Sequence, residues 1–217
     1  DWELYCPVCQ RPLRPIGTEE LAKLNVNSIY AITKKTQEEM VLNIGKTYGI
    51  PVVALRFFNV YGPRQSLSNP YTGVMAIFLS RIKSSKTPII YEDGSQSRDF
   101  ISVNDVVRAN ILAMEKKKAD YQIFNVGSGK PTSILKIAER LVQATGKSIK
   151  PEITNKFRKG DIRHCFADIA KIKRLLGFQP KVNLKEGIEE LVDWSRSVEA
   201  KDFFEKAAGE LKKKGLV

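Results

Sequence analysis

The feature that most constrains this chain is a helix that ends in glycine and feeds an apolar strand. Asn27 or Ser28 can cap a helix running to about Tyr48, and Gly49 supplies the left-handed residue that closes it. The next residues, Pro51-Val52-Val53-Ala54-Leu55-Arg56, are apolar on both faces of an extended chain. That is the pattern of a strand buried in a parallel sheet. A long helix followed by such a strand points to an α/β architecture. The loop Asn59-Val60-Tyr61-Gly62-Pro63-Arg64 then falls at the strand's carboxyl end, where open α/β sheets bind ligands.

The rest of the chain alternates in the same way. Helices are predicted from Val74 to about Lys83, from Asn104 or Asp105 to about Glu115, from about Thr132 to Thr145, over Ile169–Leu176, and from Leu184 to about Val198. Short strands are predicted at Pro88–Tyr91 and Ile123–Val126, with turns at Glu92–Ser95 and Gly127–Gly129. Asp202–Lys214 places Phe203, Ala207 and Leu211 on one helical face. Pro7, Pro12 and Pro15 make residues 1–26 irregular. The fold class is therefore α/β. Residues 1–80 read as the C-terminal part of a doubly wound, Rossmann-like parallel sheet, and residues 81–217 as a smaller α/β lobe beside it.

Composition removes several functions. With 217 residues, 42% hydrophobic and 28% charged, the chain has the make-up of a soluble globular protein. No apolar run approaches the ~20 residues of a membrane helix, and no secretory signal is visible. These point to the cytoplasm with no membrane partner. Three cysteines suit a reducing compartment better than a disulfide scaffold. The net charge of +12 is dispersed, with its densest runs at Lys116–Lys118 and Lys212–Lys214, both near helix ends. A lysine-rich solvated surface explains it better than nucleic acid, for which no reading motif is present. A single histidine, His164, excludes a multi-histidine metal site within the chain, and there is no Gly-x-Ser-x-Gly elbow. The first residues carry no initiator Met, so the chain reads as a piece of something longer.

Tyr30 and Lys34 stand four apart on the first helix, which puts them on one face one turn apart. An isolated phenol titrates near pH 10, as its reference value of about 10 states. An ammonium held nearby favours the phenolate, so the pair can act as acid and base toward a sugar hydroxyl. Alone, Tyr-x-x-x-Lys is far more often an ordinary surface pair than a catalytic one. Its setting changes that. Ser28-Ile29-Tyr30-Ala31-Ile32-Thr33-Lys34, the long helix, the strand, and then Arg56-Phe57-Phe58-Asn59-Val60-Tyr61-Gly62-Pro63-Arg64 resemble the extended short-chain dehydrogenase/reductases, specifically the sugar-nucleotide epimerases and dehydratases. The resemblance continues through Asp93–Val106, Phe124–Gly129, Arg158–Asp161, Ala167-Asp168 and Leu176–Pro180, and covers about residues 27–195 in order.

The resemblance implies roles. Tyr30 is the catalytic acid/base, and Lys34 its electrostatic partner and nicotinamide-ribose ligand, so both touch NAD. Phe57 and Phe58 lie near the nicotinamide. Asn59 bonds the sugar-nucleotide phosphates, and Arg98 and Arg158 clamp the diphosphate through charge and fork geometry. Asp161 orients Arg158 or meets the nucleotide ribose. For Arg98 the structural alternative is an ion pair with Asp99 or Asp105. Gly62 and Gly129 serve turns only. The implied reaction is NAD-dependent C4 epimerisation of a nucleotide-diphosphate sugar through a 4-keto intermediate, in a homodimer formed through the Tyr30 helix. Residues 1–80 are then the remnant of the NAD-binding domain and residues 81–217 mainly the nucleotide-sugar lobe.

Three departures qualify this. The family's Gly-rich dinucleotide loop has no match in the chain, nor has the Ser or Thr that assists the tyrosine, so the chain by itself is expected to be inactive. Cys6-Pro7-Val8-Cys9 resembles half of a zinc knuckle, but only His164 and Cys165 remain as ligands, and a tight metal-free loop is favoured. The same Cys-Pro-x-Cys resembles a subset of epimerase-like proteins, those acting on dTDP-L-rhamnose among them. Three other readings stay open: a nucleotide-sugar 4,6-dehydratase, a non-catalytic nucleotide-sugar-binding module, and a basic nucleic-acid-binding domain with strongly salt-dependent binding.

Overall fold

Ser28 and Gly49 bound the first helix as their chemistry requires. In the computed structural model, which describes residues 2–69, 71–157 and 160–213, helix α1 spans Ile29–Tyr48. Ser28 Oγ accepts the Ala31 N–H at 3.1 Å, and Gly49 closes the helix at φ 65°. Gly45 is where α1 meets the following strand, because a Cβ there would collide with Val52. Strand β1 runs Val53–Phe57 and pairs in parallel with β5 (Gln122–Val126), Leu55 opposite Phe124. The sequence predicts a strand from Pro51 buried on both faces. The observed strand starts at Val53 and is half-buried, with Phe57 48% exposed. The cause is coverage: α1 lies against it, and among the described residues β5 is its only partner.

β2 (Asn59–Tyr61) is a short strand where a loop is predicted. It pairs in parallel with β4 (Ser97–Ser102), which the hydrophobic pattern does not announce. Between them come α2 (Val74–Lys83) and β3 (Ile89–Ile90). Ser102, rather than Asn104 or Asp105, caps α3 (Val103–Glu115). Asp105 instead turns inward and accepts the Lys181 and Val182 N–H groups. β6 (Pro131–Ser133) pairs antiparallel with β4 and leads into α4 (Ile134–Thr145). β7 (Glu152–Ile153) pairs with β3, and β8 (His164–Cys165) with the start of β4. Helices α5 (Ala170–Leu176), α6 (Leu184–Arg196) and α7 (Phe204–Lys213) complete the chain. Parallel pairs dominate, as an α/β fold requires.

Two cores hold these elements. In one, α2, α4 and α6 close over Met75, Leu79, Ile82, Ile137, Leu141 and Leu191. In the other, Ile101, Phe124 and Val126 meet Ala109, Ile172 and Phe178 beneath α3 and α5. Each draws residues from both sides of position 80. Arg81, 4% exposed, ties α7 down through Asp202 at 3.4 Å and Glu205 at 3.0 Å, with Phe204 beneath its guanidinium.

Residues 2–28 lack regular elements but are firmly stitched to the rest. A hairpin joins Leu4 and Leu13 (2.8 Å), with Tyr5 bridging Pro12. Thr18 N–H donates to the Phe166 carbonyl at 2.8 Å, and Thr18 and Glu20 each accept from Asn125 on β5. The arm therefore delivers the chain to Ser28 along a fixed path.

Candidate functional site

α1 presents Tyr30 and Lys34 as the spacing predicts. The Lys34 ammonium lies 5.8 Å from the Tyr30 ring centroid and also bonds Gln37 at 3.3 Å. Tyr30 is 72% exposed, so its hydroxyl is open to a ligand. Its ring borders a cavity of about 290 Å³, lined also by Phe57, Phe58 and Asn59 at the end of β1 and start of β2. Phe100 lines the same cavity and is the register partner of Asn59 across the β2–β4 ladder. Arg98 stands two residues earlier on β4, on the same face by strand periodicity. The cavity thus gathers Phe57, Phe58 and Asn59 beside Tyr30, while Arg98 stands on β4 outside its lining.

A second tyrosine in that wall shows what exposure decides. Tyr61 is 2% exposed, and burial, with the Asp105 carboxylate next, pushes its phenol far above the ordinary value of 10.0. Tyr30, by contrast, is largely exposed.

Sequence reasoning missed what positions Tyr30. Arg56, on β1, forks onto Glu38 of α1 with two bonds of 2.7 Å, and a third bond of 2.9 Å reaches the Glu20 carbonyl. The Glu38 carboxylate holds the guanidinium's pKa above its usual value. This fork locks α1 to β1 and to the N-terminal arm at once. The only signal in the sequence was a charge inside an otherwise apolar strand.

Arg98 pairs with neither Asp99 nor Asp105. Its Nη2 donates to Asp161 Oδ1 at 2.8 Å, and its Nη1 donates to the Ser97 and Arg163 carbonyls. Asp99 is fully buried and occupied: it accepts from Ser128 N–H and Oγ–H, Gly129 N–H and Ala167 N–H. Asp161 meets Arg98, whereas Arg158, its expected partner, lies outside the described residues, so that contact is not seen. Nearby, Arg163 forms a hub with Glu92, Asp93 and Glu3 at 2.5–2.9 Å. Its guanidinium holds the Asp93 and Glu3 carboxyls below their ordinary values.

Cys6, Cys9 and Cys165 are free thiols. Backbone N–H groups of Cys9 and Val8 lower the Cys6 pKa, while burial raises that of Cys165. Among the described residues, no group of three or more His, Cys, Asp or Glu is arranged to hold a metal. Nor is any helix among them long and apolar enough to cross a membrane.

The profile described as the NAD dependent epimerase/dehydratase family matches residues 4–127. A dTDP-L-rhamnose 4-epimerase of Burkholderia thailandensis is 38% identical over 167 residues, covering 77% of this chain and 46% of that protein. The UDP-glucose 4-epimerase of Thermotoga maritima, solved with UDP-glucose, superposes with a TM-score of 0.77 at 38% identity, over 85% of this chain and 58% of that one. The UDP-glucuronic acid 4-epimerase of Bacillus cereus, solved with UDP-glucuronic acid and NAD, gives 0.75 at 31% identity, over 84% and 57%. The chain spans about half the length of the curated relatives it matches.

Proposed function

The chain belongs to the NAD-dependent epimerase/dehydratase family, and from that premise we propose that it forms the acid/base and substrate-holding half of a nucleotide-sugar 4-epimerase. The observation that carries this reading is the cavity beside Tyr30. An exposed phenol, two phenylalanines and Asn59 line it, and the Lys34 ammonium stands 5.8 Å from the Tyr30 ring.

Tyr30 takes the proton of the sugar's C4 hydroxyl as phenolate and later returns it. Lys34 favours the phenolate by its charge. Asn59 holds the phosphate-linked end of the sugar, and Arg98, braced by Asp161, binds the diphosphate. Arg158 is assigned to the same clamp. The residues present suit the nicotinamide-ribose end of NAD, since Phe57 and Phe58 give an aromatic wall beside Tyr30 and Lys34. NAD, when bound, supplies the reversible hydride acceptor. The 4-keto sugar then turns and is reduced on its other face.

The grip on the dinucleotide's pyrophosphate is assigned to a Gly-rich loop not found in this sequence. The chain alone is therefore inactive under this reading. A robust NAD-dependent epimerase rate from the isolated polypeptide would overturn that part. The exposed apolar side of α1, with Ile32, Met40, Ile44 and Tyr48, supports dimerisation through this helix. A cytoplasmic setting is part of the same proposal.

The test is Tyr30→Phe in the intact NAD-loaded protein, assayed on a panel of UDP- and dTDP-sugars. Epimerisation is expected to fall about 10²–10⁴-fold, the usual worth of a positioned acid/base, with sugar-nucleotide binding retained. Unchanged turnover would remove Tyr30 from the mechanism.

A further inference from the structure

The N-terminal hairpin carries a chemistry that epimerisation does not use. Cys6 and Cys9 have the two-residue spacing of a thiolate pair in a zinc knuckle. The backbone around them has the matching form. Cys6 N–H donates to the Arg11 carbonyl and Gln10 N–H to the Cys6 carbonyl, both at 2.9 Å, and Gln10 takes the left-handed conformation at φ 54°. The turn folds back so that the Cys6 sulfur receives the N–H groups of Val8 and Cys9 and also touches the Cys9 thiol. Cys9 is exposed and Cys6 half-buried, so the pair faces outward.

We propose that this hairpin binds Zn²⁺, contributing two thiolates of a four-ligand structural site. Binding displaces two thiol protons to solvent and changes no oxidation state. Tetrahedral zinc with sulfur at about 2.3 Å needs two further soft ligands. No third His, Cys, Asp or Glu joins the pair among the described residues. The other two, thiolate or imidazole, come either from the same hairpin of a second copy or from a different segment or polypeptide. His164 and Cys165 are committed elsewhere: His164 Nδ1 bonds Ser97 at 2.8 Å, and Cys165 sits half-buried against Thr18.

The position of the hairpin gives the metal a use. Glu3, three residues before Cys6, bonds Arg163, whose carbonyl accepts from Arg98. A zinc-fixed hairpin would hold this arm against the Arg98–Asp161 pair.

The experiment measures zinc in the intact protein purified without chelator, by elemental analysis and by colorimetric release on mercurial titration. One zinc per chain supports a site completed by a different segment. One per two chains supports a site shared between two copies. In both cases Cys6→Ser and Cys9→Ser should each lose the metal and Cys165→Ser should keep it. Co²⁺ added alone to stripped protein should give thiolate charge-transfer and tetrahedral absorption bands. A protein that neither holds zinc nor takes up Co²⁺, with Cys6 and Cys9 free or joined as a disulfide by mass, overturns the proposal. Since none of these readouts involves turnover, a failed epimerase assay leaves the result untouched.

Discussion

Helices α1 and α4 make opposite use of their length. α4 spans twelve residues and buries Ile134, Ile137, Ala138 and Leu141 in a core shared with α2 and α6. α1 spans twenty and fully buries only Gly45, leaving Ile29, Ile32, Met40, Val41, Ile44 and Tyr48 exposed. Amphipathic burial holds α4 in place. α1 is held instead at a few points: its caps, the Gly45–Val52 contact, and the Arg56–Glu38 fork. The helix bearing the proposed acid/base thus has the least apolar burial of the long helices described. An apolar surface of that extent marks a place where something else packs.

A pair of truncations should separate the two helices most strongly. Leu141→Ala should cost about 2–5 kcal/mol, as large-to-small changes in packed cores do. Met40→Ala on α1 should cost within about 0.5 kcal/mol, like other exposed positions. Chemical denaturation of both variants decides it, and equal losses would mean that α1 packs more tightly than its exposure indicates. A smaller effect sharpens the contrast. Arg56→Ala removes charge-assisted bonds worth about 1.5–3 kcal/mol and should speed amide exchange in α1 while leaving α4 protected. Uniform exchange across both helices would show that the fork acts on global stability alone.

The smallest effect separates the arm from the lobe by pH. The folded-state values of Glu3 and Asp93 lie below their ordinary 4.5 and 3.8 because Arg163 binds their ionised forms. Depressed values mean that the stabilisation is present above those pH values and is lost as pH falls through the folded ones. Arg163→Met should therefore flatten the acid limb of the stability curve below about pH 4.5, leaving neutral pH for the loss of packing alone. An unchanged acid limb would remove this hub from the account.

What the sequence revealed follows from locality. α1, α2, α4, α5 and α6 were legible because their periodicity and most of their caps lie within a few residues. Tyr30 and Lys34 share a helix turn, and Phe57, Phe58 and Asn59 are consecutive, so their grouping was written along the chain. β4 was missed because Ser97 and Asp99 are polar yet buried, their burial supported by Ser128, Ala167 and His164 from distant segments. β7 and β8 are two residues each, too short to carry a period. The partner of Arg98 lies 63 residues away and outcompetes two aspartates far nearer in sequence. Spacing has no access to such a choice, because it depends on which carboxylates the backbone amides have already claimed.

The stitching of the N-terminal arm also sets an order of events. Thr18 and Glu20 are held by Asn125, 107 and 105 residues further on, and Thr18 also needs the backbone at Phe166 and Asp168. As the chain leaves the ribosome, the arm emerges well before Asn125, Phe166 and Asp168 and waits for them. Contacts of such separation form slowly. The segment leading into the Tyr30 helix is therefore among the last parts to settle, and until then its apolar residues and two thiols are open to chaperones and oxidants.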